Sequence, residues 1–255
     1  MDILNFIRVL NQSNPLVLDV ASLLIYFTII AFTYAKWGKN CLYVFIAVAT
    51  IAANIQVLKP VQYGIFSDPV GLGTVLFSTT YLCTDILSEF ESPKAARTAV
   101  FLGFFGMLLW TIILMITMGY SPLTPEQAGE GWSWALPIQS QMEGLFLPIP
   151  AFFLASLFAY LISQLNDIYI YDWINKKTSG KYLWLRNNAS TWISALVDNT
   201  IFSLLAFVVL AGDPLPLSVV IPTYILGTYM FRVVIAATDT PFIYLVKLLL
   251  NKKQS

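Results

Sequence analysis

Histidine is absent from all 255 residues. That excludes His-ligated metal sites, Ser-His-Asp triads and imidazole proton relays together. Charge is scarce as well: 11% of residues are Asp, Glu, Lys or Arg, against about 25% in an ordinary soluble domain. With 58% hydrophobic residues, a soluble chain could not cover its own surface. A large soluble core is therefore excluded. The formal net charge is +0, which argues against nucleic-acid binding. Only two cysteines occur, Cys41 and Cys83. They form no CxxC pair and read as small apolar filler. There is no GxxxxGK[ST] phosphate loop, no glycine-rich dinucleotide fingerprint and no HExxH. The chain is not expected to hydrolyse ATP, and no cofactor, metal site or catalytic residue is expected. The opening "MDILNFIRVLNQSNP" is acidic early, and its apolar part is too short for a cleavable signal peptide.

What the chain does have is apolar length. A spanning helix needs about 20 mostly apolar residues. Seven stretches answer to that: roughly 17–36, 41–58, 71–90, 97–119, 145–166, 188–211 and 216–237. A short amphipathic or membrane-edge helix is expected over 240–250, after Pro241. The fold class is thus all-α, a polytopic membrane bundle of six or seven spans in a single domain over 1–255. With seven spans and the N-terminus outside, the inner segments hold Lys36, Lys39, Lys94, Arg97, Lys176, Lys177, Lys181, Arg186, Lys247, Lys252 and Lys253. The outer segments hold only Arg8 and Lys59. Such a bias places the C-terminus inside. The connection 120–144 has three Glu and no Lys or Arg, as suits an outer loop, and Trp132 and Trp134 are expected at the interface. "TPEQ" (124–127) reads as a helix start, with Thr as cap and Pro at the first position. No internal repeat is evident.

Polar residues recur inside the spans at helical spacing. The third span carries Ser78, Tyr81, Asp85 and Ser88/Glu89, the fifth Ser156, Tyr160, Ser163 and Asp167, and the sixth Asn187, Thr191, Ser194 and Asp198. Such faces avoid lipid, so they line a cavity or pack together. Asp198 lies at mid-span, where a carboxylate costs about 2.5–3.5 kcal/mol even on the lenient insertion scale. Arg232, within the last span, is its candidate partner. Two readings stand: a pair that locks two helices, or a site residue in a polar cavity. Glu89 reads either as a site residue or as part of an inner-loop cluster with Lys94 and Arg97. Asn54 and Gln56 interrupt the second span, for interhelical hydrogen bonding or for a ligand.

Two runs in this order, "TDILSEFESPKAAR" (84–97) and "LRNNASTWISALVDNTIFSLLAF" (185–207), resemble the queuosine precursor transporter family, also called VUT. That family carries T-D-I-L-x-E-x-x-G-x-x-x-A-R followed by R-x-x-x-S-T-x-x-x-x-x-x-D-[ST]-x-I-F. The Asn54 helix, "LASLFAYLISQ" (154–164) and a late basic residue before T-P also fit. The resemblance covers roughly residues 50–250 and makes the first span an addition to a six-helix core. It points to Asn54, Asp85, Glu89, Arg97, Arg186, Ser190, Thr191, Asp198 and Arg232. Ser92, Asn199, Arg232 and Ala151 depart from the usual Gly, Ser/Thr, Lys and Arg. The resemblance implies import of 7-deazaguanines (preQ0, preQ1 or queuine) across the bacterial inner membrane. The expected substrate-binding set is Asn54, Gln56, Asp85, Glu89, Asp198 and Arg232. The expected gating or structural polar set is Arg97, Asp167, Arg186, Ser190, Thr191 and Ser194. A carboxylate suits the adjacent N–H and amino donors of a guanine-type edge, and its O6 wants a donor such as Asn54, Gln56 or Arg232. The ammonium arm of preQ1 wants a second carboxylate, so Asp85 and Asp198 could divide the roles. Expected partners are a nucleobase-like small molecule, the lipid bilayer and a second copy of the chain, but no nucleic acid. The rival readings are a membrane subunit of an ATP-driven importer and an intramembrane carboxylate enzyme.

Overall fold

The computed structural model describes residues 2–64, 69–146 and 149–254. A short first helix, α1 (Ile3–Asn11), is capped by Asp2. Helix α2 (Pro15–Trp37) starts where the Asn14 side chain accepts from the Leu16 N–H and Pro15 supplies the pre-set φ of a first turn. Gly38, at φ +74°, ends α2 and opens α3 (Lys39–Gln56). A glycine is needed there because few L side chains adopt that conformation. A two-residue ribbon, β1 (Pro60–Val61) against β2 (Val70–Gly71), is antiparallel with Pro60 opposite Gly71. It leads into α4 (Gly73–Phe90). Gly73 packs on the Ala53 carbonyl so closely that a Cβ would collide with it.

Helix α5 (Pro93–Met118) begins at a Ser92 cap with Pro93 behind it. Next comes α6 (Pro125–Ala128), with the expected Thr124 cap closed into a capping box by Gln127. A 3-10 turn (Ser133–Ala135) and α7 (Leu136–Phe146) follow. The long helix α8 (Ile149–Lys177) turns through left-handed Ser179, Gly180 and Tyr182 into α9 (Leu183–Leu204). That helix loosens into a π-helical stretch, Leu205–Val209. The last helical run comprises α10 (Leu217–Val219), a second π stretch (Val220–Gly227) and α11 (Thr228–Gln254).

Among the described residues, six helices are long and apolar enough to cross a membrane: Pro15–Trp37, Lys39–Gln56, Pro93–Met118, Phe152–Lys177, Leu183–Val209 and Leu217–Lys252. The chain is a multi-pass helical membrane protein. Helix α4 fails on composition but not on length, and nearly all of it is buried, continuously from Val75 to Ser88. Its polar face never meets lipid, so it can carry what the outer helices cannot. Large side chains of α2 and α5, such as Ile25, Phe32, Phe101 and Phe105, point outward instead.

Several boundaries differ from the sequence reading. No separate helix follows Pro241. The last helix runs straight through it, as bundled membrane helices tolerate when neighbours satisfy the freed backbone. Helix α8 continues eleven residues beyond 166, through "DIYIYDWINKK", a segment too polar to read as span. Helix α1, too short to be read as a span, went unrecognised.

One end of the bundle gathers three of its turns. Tyr34 Oη donates to Glu91 Oε1 at 3.2 Å, and Lys39 lies 4.0 Å from the same carboxylate. Arg186 donates to the carbonyls of Gly180 and Lys181 and binds Glu89. The turns after α2, α4 and α8, which hold most of the basic residues, therefore share one end. The β ribbon lies at the other.

Candidate functional site

A cavity of about 590 Å³ opens near the β ribbon. It lies between the far ends of α3, α8 and α9, the start of α4, and both π stretches. Its size falls within the usual range for small-molecule sites, roughly 300–1,000 Å³. One wall is aromatic. Phe152, Phe202 and Phe207 form a triangle with centroids 5.7–6.4 Å apart, and Tyr224 stacks on Phe207 at 4.1 Å. One turn along the same helix faces the lining becomes polar, with Ser156, Asp198 and Asn199, joined by Asn54 and Arg232.

The polar wall is built around one ion pair. Arg232 Nη1 meets Asp198 Oδ2 at 2.5 Å, and Ser163 Oγ donates to Asp198 Oδ1 at 3.0 Å. The guanidinium stacks over Phe77, 5.1 Å from its centroid, and its Nε has no partner. Asn54 spends its Nδ2 on the Thr50 carbonyl and on Met107 Sδ, so its amide offers an oxygen rather than a donor. Asn199 spends its Nδ2 on the Ile225 carbonyl and Thr228, which ties α9 to the second π stretch.

Beneath the cavity, α4, α8 and α9 are joined by neutral hydrogen bonds. Gln164 donates to Thr80 at 2.8 Å and accepts from Thr84 at 3.2 Å. Asn166 donates to Ser194 at 3.1 Å. Asp85 and Asp167 follow, both fully buried, with Thr191 donating to Asp85 at 3.5 Å. Buried Ser190 lies beside Asp167. At the far end Arg186 grips Glu89 through Nε and Nη2, at 3.0 and 2.6 Å. Tyr171 Oη donates to the same carboxylate at 2.9 Å. This cluster ties α4, α8 and α9 together at that end.

Of the expected substrate-binding residues, Asn54, Asp198 and Arg232 line the cavity together. Gln56 is half-buried outside its lining, Asp85 lies deeper, and Glu89 belongs to the closed end. Of the expected gating set, Arg186, Ser190, Thr191, Ser194 and Asp167 fall on the interior column, whereas Arg97 is exposed. Glu89 pairs with Arg186, not with Lys94 or Arg97. Ala151 stands at a position whose side-chain surroundings lie outside the described residues. The sequence reading missed Asn199, Tyr171, Asp239 and the aromatic wall. Asp239 falls between the span expected over 216–237 and the short helix expected over 240–250. Nothing but position in the fold distinguishes Phe202 or Phe207 from lipid-facing Phe.

Residues 71–246 match the model of the Vut_1 family, described as "Putative vitamin uptake transporter". The chain is also 32% identical, over 225 residues, to a protein of Bacillus subtilis (strain 168) named "Probable queuosine precursor transporter". The alignment covers 88% of this chain and 91% of that protein. No solved structure matches. With a family model matching more than half of its length and a relative 32% identical over most of it, the chain belongs to the vitamin uptake transporter (VUT) family.

Proposed function

We propose that this chain imports a queuosine precursor, a 7-deazaguanine, across the bacterial inner membrane, and that the base binds in the cavity beside Asp198 and Arg232. The observation that carries this reading is a charged polar pair lining one cavity together with a cluster of aromatic rings. The Asp198 carboxylate has lone pairs to spare for the N1–H and amino group of a guanine-type edge. The guanidinium of Arg232, which lines the cavity, is a donor suited to O6. A flat bicyclic ring fits against Phe152, Phe202, Phe207 and Tyr224.

Charge bookkeeping selects among the precursors. Asp198 is the one carboxylate among the described residues lining the cavity, and Arg232 already neutralises it. The ammonium arm of preQ1 would lack a counter-ion, because Asp85 lies outside the cavity. The uncharged preQ0 is therefore the better fit. Glu89, Arg186 and Tyr171 act as the inner gate and must part for release.

The test is uptake of labelled preQ0, preQ1 and queuine in cells unable to make deazaguanines, with and without the chain. Uptake of preQ0 in preference to preQ1 is expected, and uptake of none would refute the reading. Transport by the purified chain in liposomes without nucleotide would set aside a dependence on ATPase subunits.

A further inference from the structure

A second set of acids lies where the cavity does not reach. Asp85 on α4, Asp167 on α8 and Asp239 on α11 are each at most 1% exposed. None of the ion pairs among the described residues involves them. The nearby guanidinium groups are engaged elsewhere, Arg186 with Glu89 and Arg232 with Asp198. Unpaired carboxylates cannot persist as ions in such a place, where each costs several kcal/mol.

The geometry shows what they lack. Asp85 and Asp167 lie on neighbouring helices between two cross-links, Thr84 to Gln164 and Tyr171 to Glu89, which bring both carboxylates together in the interior. Yet neither Asp167 oxygen, nor Asp85 Oδ1, has any donor. Buried carboxylates gathered without a cation and with too few donors must take up a hydrogen. A residue outside the acidic set points the same way. Asn187 is fully buried, gives its Nδ2 to Asp239 at 2.7 Å, and leaves its Oδ1 without a donor. The pocket is thus rich in acceptors and poor in hydrogens. A metal ion is the poorer occupant, because no group of three acidic, Cys or His side chains among the described residues is arranged to hold one.

The position also connects this pocket to both ends. Asp167 lies one turn from Ser163, which holds Asp198. Tyr81 lies between Asp198 and Asp167. Thr191, the donor to Asp85, shares α9 with Asp198. On the other side, Asn187 adjoins Arg186 of the inner gate. The titratable groups nearest the Asp85–Asp167 pair are Tyr81 and Cys83 on α4, Tyr171 on α8 and Asp239 on α11; the charged groups one shell further out, Glu89 with Arg186 and Asp198 with Arg232, are paired with each other.

We propose that Asp85 and Asp167 form a proton-binding site, backed by Asp239, and that loading and release of this proton drive import of the base. The proposal rests on the transport reading above. The proton enters from the cavity side while the Glu89–Arg186 gate is closed. It leaves to the inner side when that gate opens, and α8 and α9 carry both the base contacts and the proton contacts.

The experiment uses the full chain in sodium-free liposomes, with potassium and valinomycin holding the membrane potential at zero. Labelled preQ0 is followed both as exchange without a gradient and as net accumulation with the outside acidic. One proton per base predicts about tenfold accumulation per pH unit, collapsed by a protonophore. Asp167→Asn places a fixed hydrogen between the two side chains. Its accumulation should fall to about onefold, with exchange still detectable. Wild-type exchange with onefold accumulation at every pH gradient overturns the proton site and leaves the transport reading standing. So does accumulation that follows added sodium instead. Absence of exchange in the wild type overturns the transport reading and the proposal with it. If Asp167→Asn fails to fold, the wild-type gradient response decides the matter alone.

Discussion

Replacing Arg232 with methionine is expected to destabilise the protein by about 3–5 kcal/mol, the usual cost of stripping one partner from a buried ion pair. The structure sets the terms. The side chains of Arg232 and Asp198 are 7% and 6% exposed and meet at 2.5 Å, so water cannot take over the guanidinium's role. Ser163 still donates to Asp198 Oδ1 at 3.0 Å, which offsets about 1 kcal/mol. Adding Asp198→Asn removes the orphaned charge while keeping the shape. The double variant should therefore recover to within about 1–2 kcal/mol of the wild type. Binding should behave differently. Each charge-assisted hydrogen bond to the base contributes about 1.5–3 kcal/mol, so the refolded double variant should bind preQ0 at least ten- to a hundredfold more weakly. The assay is thermal unfolding of the detergent-solubilised protein beside equilibrium binding of preQ0 on the same samples. An Arg232→Met protein as stable as the wild type would refute the reasoning about the pair. A double variant with wild-type affinity would remove the pair from the proposed base site.

Glu89→Gln should leave preQ0 affinity within about twofold, because Glu89 does not line the cavity, and should change the transport rate in liposomes if Glu89 is the proposed inner gate; a tenfold loss of affinity would refute the gate assignment. Gly73→Ala should lower stability by about 1–3 kcal/mol, as overpacking does, since its Cβ would collide with the Ala53 carbonyl; an unchanged melting temperature would contradict that packing. For topology, cysteines placed in 122–140 should react with an impermeant label from outside, and cysteines in 178–182 only after permeabilisation. Labelling of both from one side would refute the seven-span arrangement with its C-terminus inside.

Much of the interior was legible from spacing alone. The stripes ending in Asp85, Asp167 and Asp198 do meet on the inward faces of α4, α8 and α9, because a polar residue in an apolar helix has few other places to go. Periodicity cannot say which stripe residues share a cavity. Asp85 and Asp198 were both expected to bind the base, yet of the two only Asp198 lines the cavity. Asp239 was lost between the span expected over 216–237 and the short helix expected over 240–250. The aromatic wall was lost because Phe202 and Phe101 have the same local pattern, one facing the cavity and the other exposed. The partner of Glu89 depended on a contact across 97 residues of chain, which no local signal encodes.

The burial of α4 has a consequence for how the protein is made. A translocon retains a segment in the bilayer by its apolarity, and Asp85 and Glu89 each oppose retention by up to about 3 kcal/mol. Released alone, α4 would have little to hold it in lipid. Its successor, Pro93–Met118, is the most apolar of the six qualifying helices, and the β ribbon ties its start to the end of α3. Integration of α4 must then be a cooperative event: α3 has already entered, α5 pulls from behind, and the polar helix is held between them until α8, α9 and α11 arrive to enclose it. A nascent chain halted before α5 should leave α4 outside the membrane.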